Sequence, residues 1–175
     1  MLDKDSSMPL SGEDIMRQFL PTSPYVTHLG MRLVSIQPGA AVLTLPFVAE
    51  NITIGTVVHG GAIASLIDTA AMVAAWSDAP VPDKIRGSTV NLTVTYLAPA
   101  NNEDLHATAH VLRRGKSLVY IDVDVQGATT PWRILLRGVN VTQAIEGGSV
   151  QAEALGTLLI PEQGTSRLTV QLPAA

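Results

Sequence analysis

Two adjacent glycines and one carboxylate stand at a spacing suited to acyl chemistry. Residues 59–68 read His59-Gly60-Gly61-Ala62-Ile63-Ala64-Ser65-Leu66-Ile67-Asp68, and helix formers and apolar residues continue to Trp76. The glycines open the run, where a helix presents unpaired N–H groups and the positive end of its macrodipole. Such a terminus can hold a developing oxyanion, and glycine lets a ligand approach the backbone closely. Asp68 is a lone ionisable group on a nearly all-apolar helix, which is costly unless it is paired or put to use. The alternative is a structural carboxylate bonded to a neighbouring hydroxyl or backbone group.

Asp68 follows Gly61 by seven residues, close to two full turns. Both therefore face the same way but lie about 10 Å apart along the axis. A base and an oxyanion donor serving one carbonyl must both lie within hydrogen-bond reach of it and its neighbours. One helix can hardly supply both. A second, antiparallel copy would bring one chain's Asp68 beside the other's Gly60, so the spacing argues for a two-fold dimer with sites across its interface.

The elements that must hold these groups follow from the pattern. Residues 1–10 read as a loose leader. Ser11 caps a short helix with Glu13 and Asp14 in its first turn and an apolar stripe of Ile15, Met16, Phe19 and Leu20; Pro21 stops it. A hairpin follows: residues 31–36 alternate, Pro38-Gly39 turns, and Ala41–Leu45 returns. Residues 46–58 connect to the glycine pair and form a pocket wall. The central helix is apolar nearly all round, so other structure wraps it. After a loop over 79–87, Val90, Leu92, Val94 and Tyr96 alternate with Thr89, Asn91, Thr93 and Thr95. Two further strands alternate over residues 105–111 and 119–125, and Trp132–Thr142 is β-rich. Alternation implies antiparallel strands with one covered face, and one long buried helix against such a sheet is an α+β arrangement. The organisation is a leader and short helix over 1–24, a domain over 25–143, and a C-terminal extension over 144–175 that no pattern assigns.

Composition narrows the chemistry. Of 175 residues, 46% are hydrophobic, ample for one core. Eleven basic and fifteen acidic residues leave a net charge of −4, which gives no general pull toward nucleic acid or anionic lipid. There is no cysteine, so disulfides, thiolate nucleophiles and cysteine metal sites are excluded. His106 and His110 are four apart on a strand, about 13 Å at roughly 3.3 Å per residue, too far to share a metal ion. The N-terminus lacks an apolar signal core, and the longest apolar run is short for a membrane span and contains Asp68. A cytoplasmic location is the expectation.

His-Gly-Gly, then Asp68 and Thr69-Ala70-Ala71, resembles the hotdog-fold acyl-CoA thioesterases of the phenylacetate-degradation (PaaI-like) type. Gly55-Thr56-Val57-Val58 before the motif, the segment Thr89–Ala100 after the helix, and the basic turn Arg114-Gly115-Lys116 match in the same order, and the likeness covers residues 25–143. The resemblance implies a hotdog fold, an antiparallel sheet wrapped around one central helix. It implies hydrolysis of an acyl-CoA to a carboxylic acid and CoA, in a homodimer or a dimer of dimers. No metal is implied, and no cofactor beyond the CoA that is part of the substrate. The helix carboxylate is the nucleophile or general base in such a family, a role that falls to Asp68. The second residue of the glycine pair polarises the thioester oxygen, a role that falls to Gly60 or Gly61. Many relatives carry an Asn or Gln six residues before the motif histidine; that position is Thr53 here, and Asn51 lies eight before. Thr89 corresponds to a hydroxyl that orients the attacking water; a cross-strand threonine is the plainer reading. His59 either faces substrate or fixes the start of the helix. Arg113, Arg114, Gly115 and Lys116 form the densest positive cluster, suited to CoA phosphates, or else a solvated turn. A non-catalytic acyl-CoA-binding hotdog domain and a hotdog dehydratase or hydratase are the competing functions.

Overall fold

The computed structural model describes residues 10–79, 87–115, 117–129 and 134–144. Helix α1 (Gly12–Phe19) begins at Ser11, which accepts from the Asp14 amide while the Asp14 carboxylate accepts from the Ser11 amide. That reciprocal box satisfies two N-terminal donors, and the Ser11 hydrogen bonds hold the Asp14 carboxyl below its usual value. The helix belongs to the core: Met16 is fully buried, and Gly12 lies so close to the carbonyls of Trp76 and Ser77 that a side chain has no room there. Phe19, expected on the apolar stripe, is exposed. A 3₁₀ turn (Leu20–Thr22) follows, then a short second helix, α2 (Pro24–His28), started by Pro24 in its first turn.

Strands β1 (Arg32–Gln37) and β2 (Ala40–Leu45) form the expected hairpin, with Gly39 at φ +74° in its turn. A 3₁₀ turn (Ala49–Asn51) and a small hairpin, β3 (Ile52–Ile54) and β4 (Val57–Val58), lead to the central helix α3 (Gly60–Ser77). Then come β5 (Gly87–Tyr96), β6 (Leu105–Arg114), β7 (Leu118–Gly127) and β8 (Ile134–Ala144). Six strands make one antiparallel sheet in the order β1-β2-β6-β7-β8-β5, and α3 lies across its inner face. This is the wrapped-helix hotdog arrangement that the motif implied. The sheet supplies Leu43, Leu45, Ala107, Ala109, Ile121, Val123 and Val125 to the core, and α3 supplies Leu66, Ile67, Ala70 and Val73. By length and apolarity α3 could cross a membrane, yet 61% of it is buried inside the fold. It is a core helix.

Bulges in β1, β5 and β6 break the alternation that the sequence shows. Each inserts one residue and moves the neighbouring side chains to the other face. In β1 the extra residue is Val34, so Ile36 rather than Ser35 is buried. In β5 it is Val90, and in β6 it is Leu112. The last two re-aim polar side chains onto α3. The C-terminal extension beyond residue 144 lies outside the described residues, as does Lys116.

Candidate active site

The first turn of α3 is held from three sides. His59 is the N-cap, in extended backbone, and its Nδ1 accepts the Gly61 amide at 2.9 Å. The Nδ1 lone pair is thereby occupied, so the neutral ring carries its hydrogen on Nε2 and presents a donor there. The cap also distinguishes the two glycine N–H groups. The Gly61 N–H, favoured by the family pattern, is committed to His59. Of the pair, the Gly60 N–H is the one without a protein acceptor among the described residues. From β5, the Tyr96 hydroxyl donates to the Gly60 carbonyl at 2.8 Å. From within the helix, Ser65 Oγ donates to the Gly61 carbonyl at 2.9 Å, and the Tyr25 hydroxyl of α2 lies 3.1 Å from that Oγ.

Asn51 supports this turn from below. Its carbonyl accepts the His59 amide at 2.7 Å. Its side chain is 1% exposed, and Nδ2 donates to the carbonyls of Leu29 and Pro46 at 3.0 and 3.1 Å. Both amide hydrogens are spent on the scaffold. Thr53, at the position where relatives carry the amide, is exposed on the β3 hairpin.

Asp68 lies on the same stripe of α3 as Gly61, Ser65 and Met72, and this stripe is the part of the helix that the sheet leaves uncovered. The Thr89 hydroxyl donates to Asp68 Oδ1 at 2.6 Å. Simple alternation would set Thr89, three residues before Leu92, on the opposite face from it; the bulge at Val90 turns Thr89 toward the helix. Gly60 and Asp68 are eight residues apart in one helix, about 12 Å along its axis. A single chain therefore presents the donor and the carboxylate separately on an open face. Tyr25, Ile54, Tyr96 and Leu97, all at the start of α3 or on elements bordering it, are 52–75% exposed.

The basic turn stands at the other end of α3. There the β6 bulge sends Arg114 inward, where its guanidinium donates to the Ala75 carbonyl at 2.8 Å and pairs with Asp78. This is a positive charge on the helix C-terminus. Arg113 and Gly115 are exposed, and the Gly115 amide closes the turn on the Leu118 carbonyl at 2.7 Å. His106 and His110 alternate with the buried Ala107 and Ala109 and so face away from α3, and no group of three His, Asp or Glu residues converges as metal ligands among the described residues.

Comparison with known proteins fits this geometry. Residues 55–130 match the family model described as the thioesterase superfamily. Acyl-coenzyme A thioesterase 13 of Homo sapiens is 31% identical over 130 residues, covering 71% of this chain and 89% of that protein. The chain belongs to the thioesterase superfamily. Among solved structures, the E. coli PaaI protein from the phenylacetic acid degradation operon superposes with a TM-score of 0.67 at 23% identity, covering 79% of this chain and 98% of that one. A thioesterase family protein from Silicibacter pomeroyi reaches 0.70 at 21% identity, covering 78% and 100%. At those identities the likeness is one of fold. Within this thioesterase-superfamily chain, sequence reading missed Tyr25, Ser65 and Tyr96. Tyrosine and serine carry no local pattern that tells a hydrogen-bonding role from packing; only the approach of α2 and β5 to α3 reveals it.

Proposed function

We propose that the protein is an acyl-CoA thioesterase that hydrolyses its substrate to a carboxylic acid and CoA in a site completed by a second copy of the chain. The observation that carries this reading is the open stripe on α3, where the His59 cap takes the Gly61 N–H and leaves that of Gly60 without a protein acceptor among the described residues and, two turns on, a carboxylate accepts from Thr89. Two such helices running antiparallel bring the Gly60 of one beside the Asp68 of the other. The thioester oxygen then accepts from Gly60 N–H at the positive end of the helix, where charge develops in the transition state. As general base, Asp68 takes a proton from the attacking water, the water oxygen bonds to the carbonyl carbon as the C–S bond breaks, and the proton passes to the departing CoA thiolate. As nucleophile, Asp68 forms a mixed anhydride as the thiolate leaves. Water then cleaves the anhydride to the free acid and the restored carboxylate, its proton going to the thiolate. Thr89 fixes the plane of the carboxylate.

The names of the relatives support acyl-CoA as the substrate class. CoA thioesters are handled inside the cell, so the reading carries a cytoplasmic location, and pairing of dimers into a tetramer follows the family habit. For the CoA phosphates we assign the turn at residues 113–116. Among the described residues of that turn, Arg113 is the exposed cation outside any ion pair, Arg114 is engaged with the Ala75 carbonyl and Asp78, and Lys116 lies outside the described residues.

The test is thiol release over a panel of acyl-CoAs by the wild-type chain and by Asp68→Asn. The amide keeps the size of the side chain and loses the base or nucleophile. The expected result is turnover of at least one acyl-CoA by the wild type and a loss of at least about a hundred-fold in kcat in a folded variant. Tight binding of acyl-CoA without turnover by the wild type would make the chain a binding module instead.

A further inference from the structure

Tyr96 makes a contact that the fold does not need. The carbonyl of Gly60 lies in the first turn of α3, where it accepts the helix's own i+4 bond, and the Tyr96 hydroxyl adds a second donor at 2.8 Å. In the single chain Tyr96 is half-exposed, so water could serve its hydroxyl equally well there, and the net gain in that chain's folding stability from such a bond is small. Its ring stands 3.4 Å from where a Cβ on Gly60 would be. The same peptide unit carries the Gly61 N–H, which donates to His59 Nδ1. The Gly60–Gly61 peptide is thus gripped at its oxygen by β5 and at its hydrogen by the cap.

We propose that Tyr96 is a positioning residue for the oxyanion donor: its hydroxyl fixes the Gly60–Gly61 peptide, and with it the direction of the adjacent Gly60 N–H. This rests on the thioesterase reading above. Hydrogen-bond strength falls steeply with misalignment, and a donor that is already aimed costs no reorganisation when charge develops on the substrate oxygen. The hydroxyl also extends a chain of polarised groups, from Tyr96 through the Gly60–Gly61 peptide to His59, which favours the Nε2–H form of the imidazole.

Tyr96→Phe keeps the ring and removes the hydroxyl; Tyr96→Leu removes both. The expected result for Tyr96→Phe is a fall in kcat of roughly ten-fold, the value of one well-placed hydrogen bond. KM for acyl-CoA should change by less than about two-fold and the melting temperature should hold, since the loss is confined to the transition state. The Gly61 amide resonance should shift, and its hydrogen exchange should speed up. If Tyr96→Phe behaves as wild type in kcat and in the Gly61 amide while only Tyr96→Leu is impaired, the tyrosine is packing and the proposal is wrong. A parallel fall in kcat and melting temperature in Tyr96→Phe would overturn it as well. Asp68→Asn in the same assay separates the two claims. Turnover abolished there but intact in Tyr96→Phe removes the positioning role alone; no thiol release by the wild type removes the thioesterase reading, while the Gly61 amide still reports whether the hydroxyl holds the peptide.

Discussion

The chemistry of single residues rests on which hydrogen each one spends and where. His59 accepts at Nδ1 from the Gly61 amide, which sets its tautomer and leaves the Gly60 N–H as the oxyanion donor in the proposed function. Thr89 spends its hydrogen on Asp68. A hydrogen bond to a charged acceptor is worth about 1.5–3 kcal/mol, so Thr89→Val is expected to lower kcat roughly ten- to hundred-fold, and Thr89→Ser to retain most of it. Steady-state kinetics on the best acyl-CoA checks this, and equal activity of Val and Ser variants would show that the hydroxyl is idle. At this scale the sequence was partly readable. His59, Gly60, Gly61 and Asp68 announce themselves because their types and spacing are unusual for a buried helix. Asn51 and Thr53 do not, since their places relative to His59 depend on the path of the β3–β4 hairpin between them, which loop residues do not reveal.

At the scale of elements, the core was legible and its irregularities were not. The fully apolar α3 and the clean alternation of Val119, Ile121, Val123 and Val125 required a wrapped helix on a sheet. The short helix α2 left no pattern, because five residues cannot display a helical period. The bulges at Val34, Val90 and Leu112 also escape a period-two reading, because β-branched and apolar residues suit either face of a strand. Two of them matter for the site: one turns Thr89 to Asp68, the other turns Arg114 to the last turn of α3. Arg114→Ala removes a charged donor from the Ala75 carbonyl and from Asp78. Both side chains are about one-third exposed, so the expected loss is modest, about 1–2 kcal/mol by denaturant unfolding. Arg113→Ala should leave stability within about 0.5 kcal/mol and raise KM for acyl-CoA more than for a short thioester lacking the nucleotide. The reverse pattern would place the CoA-binding charge elsewhere.

For the whole molecule, in the proposed function, each chain gives half of each site. The uncovered stripe of α3, the separation of Gly60 from Asp68 and the exposed Tyr25, Ile54, Tyr96 and Leu97 all fit a second copy lying antiparallel on this face. That expectation came from counting residues along a helix, and the described geometry leaves the count unchanged. Complementation measures it most directly. An Asp68→Ala chain and a Gly60→Val chain are each expected to be nearly inactive as homodimers. Co-refolded in equal amounts, they should form hybrids in which one site has an intact Gly60 from the first chain and an intact Asp68 from the second. With random pairing, about a quarter of the wild-type thiol-release rate should return. Hybrids shown by mass to be present, yet no more active than the parent variants, would contradict a site shared between two chains.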